Sequence, residues 1–220
     1  MISDFKELTK LFGEIDKSLD KKAHFYVIGG AMLLYHGMKT ATKDIDLVVS
    51  KESEYNITRN ALRKLNFAAK APLFGHEKID LSQIFVREDF RIDLFHRAVC
   101  KGFCLSGGMI RRAQKILELK YLWVFLCSPE DVFLFKTFTE REGDIADCLN
   151  IARQKKINWS TILEEVKDQI KSSGNPVWIT WVGERLDLLE DRGLNIPIMK
   201  EINELRGKYF DDLEKRQTKR

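Results

Sequence analysis

The stretch that most constrains this chain runs from residue 25 to residue 49, where two short apolar runs flank a Gly-Gly pair and an Asp-x-Asp pair. The first run, Phe25–Ile28, has the length of a strand that is buried on both faces. It ends at Gly29 and Gly30, which permit backbone conformations and close approaches that other residues do not. The pattern predicts a buried strand, a glycine turn that opens a short helix, and a second strand that begins with two acids.

Asp44 and Asp46 occupy alternate positions at the start of this second strand. Because side chains alternate across a strand, both carboxylates share one face while Ile45 points into the core. Two carboxylates this close repel each other, and a divalent cation removes that cost. Oxygen ligands without a nearby His or Cys cluster indicate Mg²⁺ or Mn²⁺ rather than zinc. The alternative is a solvated strand end or a helix cap that binds no metal.

The motif Gly-Gly…Tyr-His-Gly…Thr-x-Asp-Ile-Asp over residues 29–46 resembles the signature of the DNA polymerase β nucleotidyltransferase superfamily. Within it, the chain is most similar to small stand-alone prokaryotic proteins related to the AbiEii-like toxin nucleotidyltransferases. The resemblance implies that a nucleoside monophosphate is transferred from a nucleoside triphosphate, such as ATP, to an acceptor hydroxyl. Mg²⁺ or Mn²⁺ would be the cofactor, and Asp44 and Asp46 would be both catalytic residues and metal ligands.

A third carboxylate stands in a later strand. Residues 81–87 and 90–96 predict a β-hairpin, and Asp93 lies alone within its apolar second half. A carboxylate in such a strand needs a partner. The superfamily takes its third metal ligand from a strand of this kind, so the resemblance assigns Asp93 as a catalytic residue and metal ligand. The alternative is that Asp93 faces solvent or pairs with Arg91 or Arg97.

Candidate nucleotide contacts precede the acids. The backbone N–H groups of Gly29 and Gly30, at the start of a helix, would favour a phosphate. Thr42 and Lys43 lie directly ahead of Asp44, where they could contact phosphate or sugar. Solvation of an ordinary loop explains each of these two side chains equally well.

A further candidate lies on a later helix. Residues 128–131, Ser-Pro-Glu-Asp, predict a helix start, with a Ser cap, Pro in the first turn and acids at the positive end. In the proteins that this chain resembles, such a helix packs next to the active site, which implies that Lys136 binds the triphosphate. Arg141 and Asp144 would support it. A salt-bridged helix face explains Arg141 and Asp144 equally well.

Composition excludes several classes of protein. Apolar residues make up 44% and interspersed charged residues 32%, which is not a disordered composition. A net charge of +4 is too small to indicate nucleic-acid binding by itself. The cysteines lack the Cys-x-x-Cys spacing of a zinc site. No apolar run approaches the ~18–20 residues that span a bilayer, and the charged N-terminal stretch predicts no signal peptide. We therefore expect a cytoplasmic protein without membrane contact.

We expect an α/β (α+β) fold, with a nucleotidyltransferase-type mixed sheet that is flanked by helices and followed by a C-terminal helical region. The core domain would comprise residues 1–127, with a helical region over 128–214 packed on it. A frayed basic tail would follow at 215–220. Within the core, we expect a loop over residues 68–80 that includes a solvated His76.

The sequence therefore predicts a metal-dependent nucleotidyltransferase. The resemblance implies an RNA acceptor such as tRNA, or a protein acceptor, in a toxin–antitoxin or defence system with an antitoxin partner. One alternative is a catalytically inactive module for nucleotide binding or interaction. Others are a nucleotidyltransferase acting on a small molecule such as an antibiotic, and an adaptor whose helices over residues 129–214 carry the function.

Overall fold

The computed structural model describes residues 1–72 and 79–218. The chain divides into two compact units, Met1–Ser128 and Pro129–Arg220. The expected α/β (α+β) class is confirmed, because strands are confined to the first unit while the second is helical where described. No helix in the described ranges is long and apolar enough to cross a membrane.

The first unit combines helices and strands. Its helices are α1 (Phe5–Ser18), α2 (Gly29–Tyr35), α3 (Glu52–Lys64) and α4 (Gly107–Arg112). Its strands are β1 (Ala23–Ile28), β2 (Ile45–Val49), β3 (Ala68–Lys70), β4 (Leu81–Arg87), β5 (Phe90–His96), β6 (Ala98–Cys100), β7 (Phe103–Cys104), β8 (Gln114–Glu118) and β9 (Leu122–Leu126).

A mixed sheet of seven strands organises the described part of this unit, in the order β3-β4-β5-β2-β1-β9-β8. Strand β1 pairs antiparallel with β2 and parallel with β9, and β2 pairs parallel with β5. Strands β6 and β7 form a separate hairpin. The two strands of the Gly-Gly and Asp-x-Asp motif are therefore neighbours at the centre of the sheet.

The two faces of the sheet differ in what they carry. Phe25 and Val27 are fully buried, and Phe25 meets Phe12 of α1 edge-on, with ring centroids 6.3 Å apart. Val27 pairs with Leu47 across β1 and β2. Because side chains alternate along a strand, Asp46 projects from the face opposite to the one that α1 covers.

The structure refines several predicted elements. The hairpin over 81–87 and 90–96 is confirmed. Helix α3 ends at Lys64, and Asn66 then turns the chain with a left-handed φ of 62°. Strand β3 lies inside the expected loop over 68–80, whose residues 73–78, His76 among them, lie outside the described residues.

The second unit is a set of helices: α5 (Pro129–Thr137), α6 (Glu142–Gln154), α7 (Trp159–Ser173), α8 (Trp178–Asp191) and α9 (Met199–Gln217). Asn158 caps α7 by accepting a hydrogen bond from the Thr161 amide, and Gly174 ends α7 in the left-handed conformation. Helix α9 continues to Gln217, so the chain is still helical where a frayed tail was expected to begin at residue 215. Residues 219–220 lie outside the described residues.

Candidate active site

Gly29 lies directly against Asp46. Ile28, the last residue of β1, pairs with Asp46 on β2, and Gly29 follows with a left-handed φ of 62°. A Cβ atom at Gly29 would lie 1.9 Å from Oδ2 of Asp46, a separation that real atoms do not reach. Any other residue at this position would be strained and would displace the carboxylate. The glycine turn therefore makes room for an acid.

The second glycine makes a similar contact with Thr42. A Cβ atom at Gly30 would lie 2.4 Å from Oγ1 of Thr42. This hydroxyl donates a hydrogen bond of 3.0 Å to the carbonyl oxygen of Asp44, and the Thr42 backbone forms a β-bridge with Ile2. Thr42 is buried, whereas the adjacent Lys43 is exposed. Thr42 thus holds the backbone in place just before Asp44.

The pairing of β2 with β5 brings the second and third acids side by side. The two strands are parallel, and Asp46 is the register partner of Asp93. Paired residues on neighbouring strands project from the same face, and such strands lie about 4.8 Å apart. Asp44, two residues before Asp46, precedes the first residue of β2. Asp44 and Asp46 therefore lie at the start of β2, and Asp93 lies beside Asp46 in the middle of β5.

Asp93 is buried, with 4% of its surface exposed, and it is paired with Arg91. Nε of Arg91 donates to Oδ1 of Asp93, and Nη2 donates to Oδ2, both at 2.7 Å. This is a bidentate, charge-assisted pair, the strong form of a side-chain hydrogen bond. The sequence offered this arginine as an alternative to a metal, and the pairing with it is present in the structure.

All three acids act on Arg91. The pKa of Arg91 is raised above its ordinary value, chiefly by its hydrogen bonds to Asp93, while partial burial acts in the opposite direction. The Coulombic attraction of Asp93, Asp44 and Asp46 raises this pKa further. Arg91 therefore lies within electrostatic reach of all three predicted acids. The signal in the sequence was the Arg-x-Asp spacing, which puts both side chains on one face of a strand.

The donor atoms of these acids suit a hard cation, but their arrangement does not yet form a metal site. Carboxylate oxygens are the ligands that Mg²⁺ and Mn²⁺ prefer. Among residues 1–72 and 79–218, no group of three or more His, Cys, Asp or Glu side chains is arranged to hold a metal ion. Both oxygens of the third acid, Asp93, accept hydrogen bonds from Arg91.

Lys136 lies in an ionic cluster of the second unit. Its Nζ contacts Oδ1 of Asp144 at 2.6 Å and Oδ2 of Asp147 at 2.7 Å, and all three residues are buried. Arg141 donates from Nε to Oδ2 of Asp144 at 2.7 Å, and Thr139 donates to the same oxygen. The cluster thus joins Lys136 to the two residues that were expected to support it.

The charges in this cluster stabilise one another. Burial alone would lower the pKa of Lys136, but the carboxylates of Asp144 and Asp147 raise it well above its ordinary value. Burial likewise works to raise the pKa of Asp144, and Lys136 outweighs it, with help from Thr139 and Arg141, so that this pKa falls to about 2. Both groups therefore stay charged around neutral pH.

Comparison with known proteins assigns the chain to a family. The model of a family described as a nucleotidyltransferase of unknown function (DUF6036) matches residues 4–176, which include every candidate site residue. A search of curated proteins gave no match. The family match supports the nucleotidyltransferase superfamily and does not reach the AbiEii-like branch. Because the match covers most of the sequence, the chain belongs to this family of nucleotidyltransferases.

Proposed function

We propose that the protein transfers a nucleoside monophosphate from a nucleoside triphosphate to an acceptor hydroxyl, with a divalent metal ion as cofactor. The observation that carries the proposal is the contact of Gly29 with Asp46, next to the register pair of Asp46 and Asp93. These contacts put the glycine backbone that would bind phosphate next to the acids that would bind a metal. The family match supports the general type of reaction.

Asp44, Asp46 and Asp93 would hold Mg²⁺ or Mn²⁺. When bound, the cation would neutralise charge on the triphosphate and lower the pKa of the attacking hydroxyl. The Asp93 carboxylate would accept the proton of that hydroxyl. The oxygen would attack the α-phosphate and pyrophosphate would leave, whereas a kinase transfers the γ-phosphoryl group.

Phosphate binding would rest on Gly29 and Gly30, whose backbone N–H groups can donate to phosphate oxygens. The exposed ammonium group of Lys43 would neutralise charge next to Asp44. Thr42 and Lys136 remain candidates for nucleotide contacts, but both are bound by protein groups in the structure. Either side chain would have to exchange those contacts for phosphate oxygens.

The acceptor is proposed from the sequence resemblance. The AbiEii-like pattern favours an RNA such as tRNA, or a protein, and a toxin whose activity an antitoxin partner controls. A small-molecule acceptor suits the same chemistry. A metal-free module that binds nucleotides without transferring them is favoured by one observation, the occupation of both Asp93 oxygens by Arg91.

A transfer assay distinguishes these possibilities. The full chain is incubated with each labelled nucleoside triphosphate, Mg²⁺ or Mn²⁺, and bulk tRNA, cell protein or a panel of aminoglycosides. We expect one of these acceptors to become labelled. Asp46→Asn should reduce the rate on the order of 100-fold or more, because it removes a charged metal ligand without changing side-chain size.

Asp20→Asn is the matched control, because Asp20 is an exposed acid of the same unit and lies outside the motif. It should keep wild-type activity. The proposal is wrong if no acceptor is labelled under any condition, or if the Asp46 and Asp20 variants transfer label equally well.

A further inference from the structure

The pairing of Arg91 with Asp93 carries an inference that rests on the proposed function. We propose that Arg91 is the resident counter-ion of the acid cluster and that a divalent cation must displace it from Asp93 in order to bind there. Arg91 would then set how tightly the protein holds its metal. It would act as a positioning residue that competes with the cofactor rather than as a ligand.

The geometry supports competition. Arg91 uses two donors on one edge of its guanidinium group, and each contacts a different oxygen of Asp93 at 2.7 Å. A carboxylate oxygen keeps a second lone pair. However, a cation bound at about 2.1 Å would place its two positive charges against the guanidinium group. Metal binding at Asp93 and the bidentate pair with Arg91 therefore oppose each other.

The charges explain why such a residue is needed. Asp46 and Asp93 are side by side on adjacent strands, Asp44 precedes Asp46 by two residues, and Asp93 is almost completely shielded from water. Without a cation, their repulsion would destabilise the metal-free protein. Arg91 cancels one of the three charges and satisfies both oxygens of the most buried acid. Its own side chain is 36% exposed, so it has room to move towards solvent.

Mn²⁺ binding to the full chain tests the inference without any substrate. The dissociation constant is measured by calorimetry or by the electron paramagnetic resonance signal of free Mn²⁺. We expect Arg91→Gln to bind Mn²⁺ about tenfold more tightly than the wild type, the factor that corresponds to one charge-assisted hydrogen bond. Arg91→Lys should fall between the two, because it keeps the charge but loses the two-pronged geometry.

Arg63→Gln is the control for overall charge, because Arg63 is an exposed arginine of α3. It should bind Mn²⁺ as the wild type does. The double variant with both Arg91→Gln and Asp93→Asn should bind Mn²⁺ no more tightly than the single variant Asp93→Asn. In the presence of a chelator, Arg91→Gln should have a lower melting temperature than the wild type. Added Mn²⁺ should raise the melting temperature of Arg91→Gln by more than it raises that of the wild type.

The inference is overturned if Arg91→Gln and Arg91→Lys bind Mn²⁺ no more tightly than Arg63→Gln, including the case in which none of them binds it. If Arg91→Gln does not fold, Arg91→Lys alone decides the question in the same way. The outcome is separate from that of the transfer assay. Tighter Mn²⁺ binding by Arg91→Gln supports the competition even if no acceptor is ever labelled.

Discussion

At the scale of single residues, the contact between Gly29 and Asp46 explains why a glycine precedes an acid that lies seventeen positions later in the chain. The left-handed backbone and the lack of space for a Cβ atom are two separate reasons for glycine. Either would disfavour a larger residue, and together they exclude one unless Asp46 moves. Replacement of Gly29 should therefore affect both stability and the acid cluster.

We expect Gly29→Ala to lower the free energy of unfolding by about 2 kcal/mol, since a left-handed conformation alone costs an alanine about 1–2 kcal/mol. Urea denaturation measures the change. Gly13→Ala is the matched control, because Gly13 lies within α1 and a Cβ atom there has no neighbour within 4 Å. That change should stabilise the protein by roughly 0.5–1 kcal/mol. Equal effects of the two substitutions would contradict the steric role of Gly29.

At the scale of elements, the ionic cluster around Lys136 fastens α5 to α6. Lys136 lies in the last turn of α5, whereas Asp144 and Asp147 lie in the first half of α6. Thr139, in the break between the helices, donates to the carbonyl oxygen of Lys136 and to the Asp144 carboxylate. A buried carboxylate of this kind makes stability depend on pH.

The pKa of Asp144 falls from an ordinary value of 3.8 to about 2 in the folded protein. A lowered pKa means that the contribution to stability is fully present above about pH 4 and is lost as the pH falls towards 2. The shift corresponds to about 2 kcal/mol. We expect Asp144→Asn to lose about this amount at pH 7 and to show a smaller decline than the wild type between pH 4 and pH 2.

Urea denaturation at several pH values measures this dependence, with Asp168→Asn as the control, an exposed acid on α7 of the same unit. A pH dependence that is identical in the wild type and Asp144→Asn would show that the cluster does not contribute in this way.

Elements with a strong local signal were predictable from the sequence. The hairpin of β4 and β5 has two largely apolar runs separated by two acidic residues, and α5 has a Ser-Pro start. Strand β3 was missed because its three residues, Ala-Ala-Lys, are all exposed and carry no apolar pattern. The break between α5 and α6 falls at residues 138–141, where the Thr139 hydroxyl donates a hydrogen bond to the carbonyl oxygen of Lys136. A hydrogen bond of this kind is not visible in the helix propensities of the residues around it.

The roles of the candidate site residues stay a prediction, but the structure shows where these residues lie. The spacing of Asp44 and Asp46 predicted two acids on one face, the resemblance added Asp93 from a later strand, and the parallel register pairs Asp46 with Asp93. The sequence left open whether Asp93 pairs with Arg91 or with a metal. Thr42 was one candidate for a contact with phosphate or sugar, and its hydroxyl donates a hydrogen bond to the carbonyl oxygen of Asp44. Both contacts join residues only two positions apart, but the sequence alone does not show which of several possible partners each side chain takes.

At the scale of the whole molecule, ligand binding should be visible as a change in thermal stability. A ligand that binds only the folded chain stabilises it by about 2.7 kcal/mol at a concentration of 100 times its dissociation constant. We expect Mn²⁺ together with a non-hydrolysable nucleoside triphosphate to raise the melting temperature of the wild type by several degrees, as measured by calorimetry. Asp46→Asn should show a much smaller rise and Asp20→Asn the full rise. A rise of equal size in the Asp46 variant would locate nucleotide binding elsewhere.

The parallel register of β2 and β5 also determines which changes in chain length the molecule can accept. Deletion of one residue within β5 would turn Asp93 to the opposite face of the sheet, because side chains alternate along a strand. On its other edge, β5 pairs with β4, where the register shifts between Leu81 and Gln83. Strand β4 thus already absorbs an irregularity away from Asp46. Insertions and deletions should therefore accumulate on the β4 side of the hairpin during divergence, while the length of β5 stays fixed.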